Sequence, residues 1–434
     1  MPKLILVTGA TGYIASGLIP QLLDRGYAVR ALARNPQRLQ SRSWFNKIDI
    51  FHGDVMEPAS LAPSLTGVHT AYYLVHNMSL GSGYTKLEMQ AAQNFLLAAE
   101  EAGVQHIIYL GGLADHNKPI SKHLLSRIET GAALSQGKIP VTEFRASVII
   151  GSGSISFEMI RFITELFPII PIPVWMKNKS QPIAIQNIMD YLLAAIEKWD
   201  GNQVLEIGGP EIITYQNVML RYAHTRGHAR GFFLLPYIPV GFMAFGIGLV
   251  TPVPRLIARA LVGGLAHDSI ITHKNAHEIY PEVNLLDFES ATKEALSRLH
   301  PLKIERVWEN GKGHVSLRHE GFFIDHRKIK VGAVPEKIFN TITKFSESFG
   351  SRQFVVDAAD PDHFLLLRSQ AKIPGAGWLE WRVSHASSVT YLTQTVFFAP
   401  RGTAGFLFWY LSTPFRAVLF HKFIKNIAGN SVVE

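Results

Sequence analysis

Along the first 150 residues, short uninterrupted apolar runs alternate with longer amphipathic stretches. Residues 4 to 7, "LILV", contain no polar position, the pattern of a parallel strand buried on both faces. "AVRALA" at 28–33, the run ahead of Asp54 in "IFHGDV", "TAYYLVH" at 70–76, "HIIYLGGL" at 106–113 and "VTEFRASVIIG" at 141–151 read as further strands. "LEMQAAQNFLLAAEEAG" reads as an intervening helix. Strands alternating with helices predict an α/β fold built on a doubly wound parallel sheet.

After Gly151 the pattern changes. "FITELFPIIPIPVWM" is apolar and broken by prolines, while "IQNIMDYLLAAIEKW" predicts an amphipathic helix that buries Leu192 and Leu193. "QVLEIGGPEIITYQNVMLRYA" predicts a strand, a turn and a helix entered through Thr214. Residues 231–254, "GFFLLPYIPVGFMAFGIGLVTPVP", carry no charge over a length that could span a bilayer, but prolines at 236, 239, 252 and 254 leave only a short helical core. A buried or interfacial helical hairpin is expected there, covering a pocket mouth, and an apolar substrate would follow. From about residue 318 strands dominate: "RQFVVDA", "HFLLLRSQAKI", "GWLEWRVSHA" and "VTYLTQTVFF", after a helix at "PEKIFNTITKF". In "WLEWRVS", Trp378, Glu380 and Arg382 take one face and Leu379, Trp381 and Val383 the other. A final helix around 404–426, kinked at Pro414, would lie across this sheet. With 434 residues the chain exceeds one core. The expected division is 1–315, with a substrate lobe at about 152–315, followed by an α+β domain over 316–434.

Charge adds little. Of the formal net charge of +8, six units fall in residues 301–434 and are spread out, so a nucleic-acid partner is not expected. A basic, apolar-rich tail fits anionic lipid or an acidic ligand, leaving peripheral membrane contact open. There is no cysteine, which excludes disulfides, thiolate metal ligands and a Cys nucleophile. No metal-ligand spacing stands out. Lys3 leads straight into a strand, so cytoplasmic residence is expected.

The candidate chemistry begins at "TGATGYIA". Gly9 and Gly12 permit a tight turn and close approach of backbone to phosphate, and the helix that follows offers its first amides to an anion. Ala15 takes the third small position. The strand "AVRALA" ends without the acidic residue that grips a ribose 2'-hydroxyl. Arg34 follows instead, with Arg30 on the same strand, so NADP(H) is preferred over NAD(H) as the nicotinamide dinucleotide. Asp54 is placed to accept from an adenine amino group. Leu74, Val75 and His76 end the fourth strand and should line the pocket at the sheet's carboxyl edge.

"TGATGYIA", "ALARNP", "GDV" and "AYYLVH", followed by "RASVIIGSGSISFEMIR" and "QPIAIQNI", resemble the atypical short-chain dehydrogenase/reductases of the NmrA-like, complex-I-subunit-like branch. "LTQTVFFAPRGTAGFLFWYLSTPF" resembles an appended START-like (SRPBCC) helix-grip domain of unknown function. The resemblance implies a Rossmann fold that binds NADP(H), with Gly9, Thr11, Gly12, Tyr13, Ile14, Arg34, Asp54 and Val55 at the family's cofactor positions. The catalytic positions depart from the pattern. Gly111 and Gly112 occupy the neighbourhood of the usual Ser, and His123 and Arg127 stand where Tyr and Lys are usual.

A spacing of four places His123 and Arg127 on one helix face, toward the nicotinamide ribose. Arg127 can bond the ribose while its charge favours a neutral His123, which can still act as a base; the equal alternative is that His123 caps or packs while Arg127 anchors the cofactor. Tyr72, Tyr73, Arg145 and Glu158 are further pocket candidates, with a structural role the first expectation for each. Two readings stay open: an oxidoreductase on a hydrophobic small molecule with non-standard catalytic residues, and a non-catalytic NADP(H)-binding structural or redox-sensing protein whose C-terminal domain holds lipid or a partner.

Overall fold

In the computed structural model the described residues are all but 1, 41, 77–83, 115–119, 236–238, 252–254, 266, 304–320, 349–352, 387–388 and 434. They fall into two compact units, one of Met1–Ile163 and Ile169–Arg298, the other of Thr164–Pro168 with the described chain after Arg298. The expected boundary at 315/316 lies outside the described residues.

The first unit is organised by a seven-stranded parallel sheet. Its first six strands in the chain are β1 (Leu4–Thr8), β2 (Ala28–Ala33), β3 (Asp49–His52), β4 (Thr70–Tyr73), β5 (His106–Gly112) and β6 (Val141–Ala146). The order across the sheet is Gln203–Ile207, β6, β5, β4, β1, β2, β3. The order reverses between β1 and β4, the place where a doubly wound sheet opens a crevice at its carboxyl edge. Helices α1 (Tyr13–Asp24), α2 (Ala62–Leu65), α3 (Tyr84–Glu101) and α4 (Lys122–Leu134) supply connections.

The unbroken apolar run of β1 is explained by two cores. Ile5 and Val7 pack with Leu18, Ile19 and Leu22 of α1 on one face, and Leu6 packs with Leu65, Ala91, Phe95 and Tyr109 on the other. All three strand residues are fully buried, each stabilising the fold by roughly 1.5–3 kcal/mol. Thr8 ends the strand differently. Its hydroxyl donates to the Tyr72 carbonyl at 3.0 Å and accepts from the Leu74 amide at 3.1 Å, tying β1 to β4 where the crevice begins.

Thr214 does cap the helix Tyr215–Thr225, accepting from the Asn217 amide. The described residues of 231–254 do not form the expected helical hairpin; 236–238 and 252–254 lie outside the described residues. Gly231–Leu235 is a strand paired in parallel with Ile169–Pro173, and helix follows only over Val240–Val250. The hairpin partner of that helix is Arg255–Gly264, outside the uncharged stretch, and the two meet through Ala244, Ile247, Ala258 and Val262. This five-residue strand, with only Phe232 and Phe233 favouring β structure, pairs with a strand some sixty positions away, a pairing that local pattern does not encode. Among the described residues no helix is long and apolar enough to cross a membrane.

The second unit is α+β. Its antiparallel sheet runs Phe323–Val331, Val389–Pro400, Gly375–Ala386, Phe364–Ser369, Phe354–Asp360. Leu379, Trp381 and Val383 pack beneath Ile338 and Ile342 of helix Pro335–Ser348 and Ile424 and Ile427 of the last helix; Trp378 packs on the other face with Phe322 and Phe397. The last helix is not one kinked rod. Gly402–Leu411 and Thr413–Val433 are separate helices that part at Ser412. Pro414 is the second residue of the new helix, where its missing N–H costs no hydrogen bond.

Candidate active site

The glycine-turn end of the crevice is made by backbone. Gly9 has φ +65°, and a side chain there would press a Cβ to 2.5 Å from the Leu74 carbonyl oxygen. Only glycine combines that conformation with that approach. The Gly12 amide donates to the Gly9 carbonyl at 2.8 Å, closing the turn, and Gly12 then begins α1 with no side-chain cap. The first-turn amides therefore keep their anion-binding capacity. Thr11, Tyr13 and Ile14 are half-buried around this turn. The Tyr13 hydroxyl reaches Gly151, where an added Cβ would lie 2.4 Å from it. Ala15 is buried in the core between α1 and the sheet.

Beyond β2 the two arginines separate. Arg34 is exposed in the turn, and Arg38 is exposed on the short helix Pro36–Leu39 beside it. Arg30 is engaged elsewhere: it donates to the Ser64 and Thr66 carbonyls at 2.9 and 2.8 Å and lies over the Phe51 ring. Asp54 is half-buried, with Oδ1 accepting from the Met56 amide at 2.9 Å, so one carboxylate oxygen serves its own turn. The Val55 side chain belongs to the core, and its carbonyl accepts from Asn94 at 3.0 Å.

At the other end of the crevice side chains take over. Leu74, Val75 and His76 leave β4 half-buried, and Ser121 caps α4 by accepting from the Leu124 amide. That helix brings His123 to a ring distance of 5.0 Å from His76. The Arg127 guanidinium donates to the Leu110 carbonyl at 2.6 Å and lies 5.7 Å from the centre of the Tyr109 ring, whose hydroxyl donates back to the Arg127 carbonyl. Arg127 is thus anchored to the end of β5. His123 is held neutral, its pKa depressed to about 3, first by burial, then by His76, and third by Arg127, which acts in the expected direction. Burial also lowers the pKa of His76, with Arg127 assisting and Glu88 opposing.

Glu88 and Ser126 were not foreseen. Glu88 is 4% exposed on α3, and its Oε1 accepts from His76 Nδ1 at 2.7 Å. Its Oε2 accepts from the Ser126 hydroxyl, one turn from both His123 and Thr130 on α4. A signal existed: Glu88, Ala91, Ala92, Phe95 and Ala99 fall at the spacing of one helix face, which is the buried one, and a carboxylate in such a stripe has a reason to be there.

The remaining candidates are structural. Tyr72 donates to the Leu192 carbonyl at 2.7 Å, Tyr73 packs on Phe95, Arg145 pairs with Glu143, and Glu158 pairs with Arg161. Gly112 stands where Leu124 has taken the space: an added Cβ would come 2.7 Å from Leu124 Cδ2. Among the described residues no group of His, Asp or Glu is arranged to hold a metal.

Residues 1–147 match the NmrA-like family. This NmrA-like stretch ends one residue after β6 and so contains the whole glycine turn, Arg34, His76 and α4. Among its relatives, cinnamoyl-CoA reductase 1 of Oryza sativa subsp. japonica is 28% identical over 113 residues, covering 25% of this chain and 33% of the relative. The chain thus spans about a third of the length of that relative. The chloroplastic divinyl chlorophyllide a 8-vinyl-reductase of Cucumis sativus is 23% identical over 266 residues, 57% of this chain and 62% of the reductase. The triphenylmethane reductase of Citrobacter sp., solved complexed with NADP(H), superposes with a TM-score of 0.53 at 19% identity over 67% of this chain and 99% of that one. At that identity the likeness is one of fold: the first unit is a Rossmann-like α/β domain.

Proposed function

We propose that the first unit binds NADP(H) across the crevice between β1 and β4 and is an oxidoreductase acting on a hydrophobic small molecule with non-standard catalytic residues. The observation that carries this reading is the uncapped start of α1 over the Gly9 turn, at the reversal of strand order, with Arg34 exposed just past β2 where an acidic residue would select NAD(H). The pyrophosphate would rest on the amides that follow Gly12, the 2'-phosphate beside Arg34, the adenine beside Asp54, and the nicotinamide end beside Leu74, Val75, His76 and Arg127. When bound, the cofactor supplies a two-electron hydride carrier; the chain supplies orientation, a dry pocket and a proton path. The fold neighbour from Citrobacter sp. is itself a reductase complexed with NADP(H), which supports the cofactor choice by analogy.

A panel of secondary alcohols, enones, quinones and aldehydes tests the reaction. Cofactor turnover lost in His76→Gln and kept in Arg226→Gln supports the enzyme; cofactor that stays unchanged with every compound refutes it.

A second reading has its own observation. In the second unit Gln394 is fully buried with neither amide atom hydrogen-bonded among the described residues, and the neighbouring Trp381 Nε1 is also unpaired. Gln394 pairs in register with Trp381 and with Arg327, so the three form one row across the sheet face that the helices cover. Unpaired buried polar groups are costly unless something meets them. This supports a START-like unit that holds a small ligand, in a protein for which NADP(H) is structural or a redox signal. Native mass spectrometry of the purified chain tests it: a co-purifying mass lost in Gln394→Leu supports the ligand, and a bare protein mass refutes it.

A further inference from the structure

We propose that His76 is the proton-transferring group of the crevice, and that Glu88 and Ser126 are positioning residues that hold its Nε2 free for substrate and balance the imidazolium it becomes. This rests on the oxidoreductase reading. Three separate elements converge on the arrangement: the end of β4, the buried face of α3, and α4. Glu88 divides its two oxygens between His76 Nδ1, at 2.7 Å, and the Ser126 hydroxyl. An ionised carboxylate only accepts, so His76 Nδ1 must donate, and the neutral ring then carries its lone pair on Nε2. That Nε2 is buried and has no hydrogen-bond partner among the described residues. It is a prepared acceptor at the carboxyl edge of the sheet.

His123 is the weaker candidate for the same role. Its Nδ1 is also buried without a partner among the described residues, yet no carboxylate touches it, and it faces His76 at 5.0 Å. A proton there would meet burial, His76 and Arg127, against which the Glu88 charge is the weakest influence. Among the described residues, the titratable and charged groups that face His76 are Glu88 from α3 and His123 and Arg127 from α4. Of these only Glu88 favours the protonated ring. In the oxidative direction a substrate R2CH–OH loses its hydroxyl proton to His76 Nε2. The O–H pair becomes the second C=O bond; a nicotinamide held at this end of the crevice would be the acceptor of the C–H hydrogen with its electron pair. The ketone and a His76 imidazolium remain, and the proton is then released to water. Reduction runs the same transfers backwards, the imidazolium donating to the developing alkoxide.

The test uses the full chain labelled with 15N-histidine, with and without NADP+, and His76 assigned by the signals lost in His76→Gln. Two-bond proton–nitrogen spectra should show His76 neutral, protonated on Nδ1 and bare on Nε2. Its titration midpoint should fall by about one pH unit in Glu88→Gln, because the charge that favours imidazolium is gone. It should rise by about half a unit in Ser126→Ala, because a carboxylate that loses a donor becomes the stronger partner. Shifts of opposite sign are not produced by loosened packing. A His76 protonated on Nε2, or a midpoint that moves the same way or not at all in the two variants, overturns the proposal. If Glu88→Gln does not fold, the tautomer and the sign in Ser126→Ala decide. Calorimetric titration of NADP+ into the same samples separates this from the cofactor reading, since the tautomer and the signed shifts do not require cofactor to bind.

Discussion

The two ends of the crevice are built from different materials. At the phosphate end the work is done by backbone: a glycine at φ +65°, a turn closed by one amide, and a helix begun without a cap. At the nicotinamide end it is done by side chains from α3, α4 and the end of β4, with His76, Glu88, Ser126, His123 and Arg127 in one polar cluster. Backbone geometry tolerates little substitution, because a Cβ at Gly9 meets a carbonyl. Side-chain chemistry can be exchanged, provided each buried charge keeps its partner. On the proposed reading, the end that would bind the cofactor is fixed by backbone, while the end that would react is built around a carboxylate and two imidazoles.

That contrast can be broken at several points. The largest effect should come from Gly9→Val, which combines a strained φ with the Leu74 collision; NADP(H) binding should fall by at least about a hundredfold, and a melting curve would register the strain. Arg34→Ala should weaken NADP(H) by roughly ten- to a hundredfold, the size of a lost charge-assisted contact, and leave NAD(H) unchanged in competition binding. At the reacting end, Gly112→Ser, which restores the usual residue type, should destabilise the fold by about 1–3 kcal/mol through contact with Leu124. Denaturant unfolding should show that loss, and Leu124→Ala added to it should recover part.

Spread over the widest range of conditions is a slope against pH. His123 and His106 both have folded pKa values depressed to about 3, chiefly by burial, so the unfolded chain binds their protons first. Their contribution to stability is complete above the unfolded value near 6.5 and declines as the pH falls from there toward 3. Each contributes a slope of up to about 1.4 kcal/mol per pH unit. His106 lies at the start of β5, stacked on Trp199 and bonded to Thr142, away from the crevice. His106→Gln should flatten the slope without touching cofactor binding, and His123→Gln should flatten it while altering the reacting end.

Much of the first unit was legible. Unbroken apolar runs marked strands buried on two faces, and the glycine spacing marked the turn, because both follow from local chain geometry. What depended on distant partners was not. Arg30 lies on the strand that leads into the turn carrying Arg34, yet it is bound to the Ser64 and Thr66 carbonyls. Gly231–Leu235 was taken with the helix that follows because its partner Ile169–Pro173 lies far away in the chain. The break at Ser412 was placed at Pro414, since proline signals a helix start as readily as a kink. Glu88 was legible in principle, as the one acid on an apolar helix face. Its meaning needed His76 and Ser126 beside it.

The central claim is that a nicotinamide dinucleotide sits on α1 with its extra phosphate steered by Arg34. Isothermal titration of NADPH and NADH into the folded full chain tests it directly. The account predicts that both bind, NADPH at least about tenfold tighter, with that difference collapsing in Arg34→Ala. A chain that binds neither, or that prefers NADH, contradicts it.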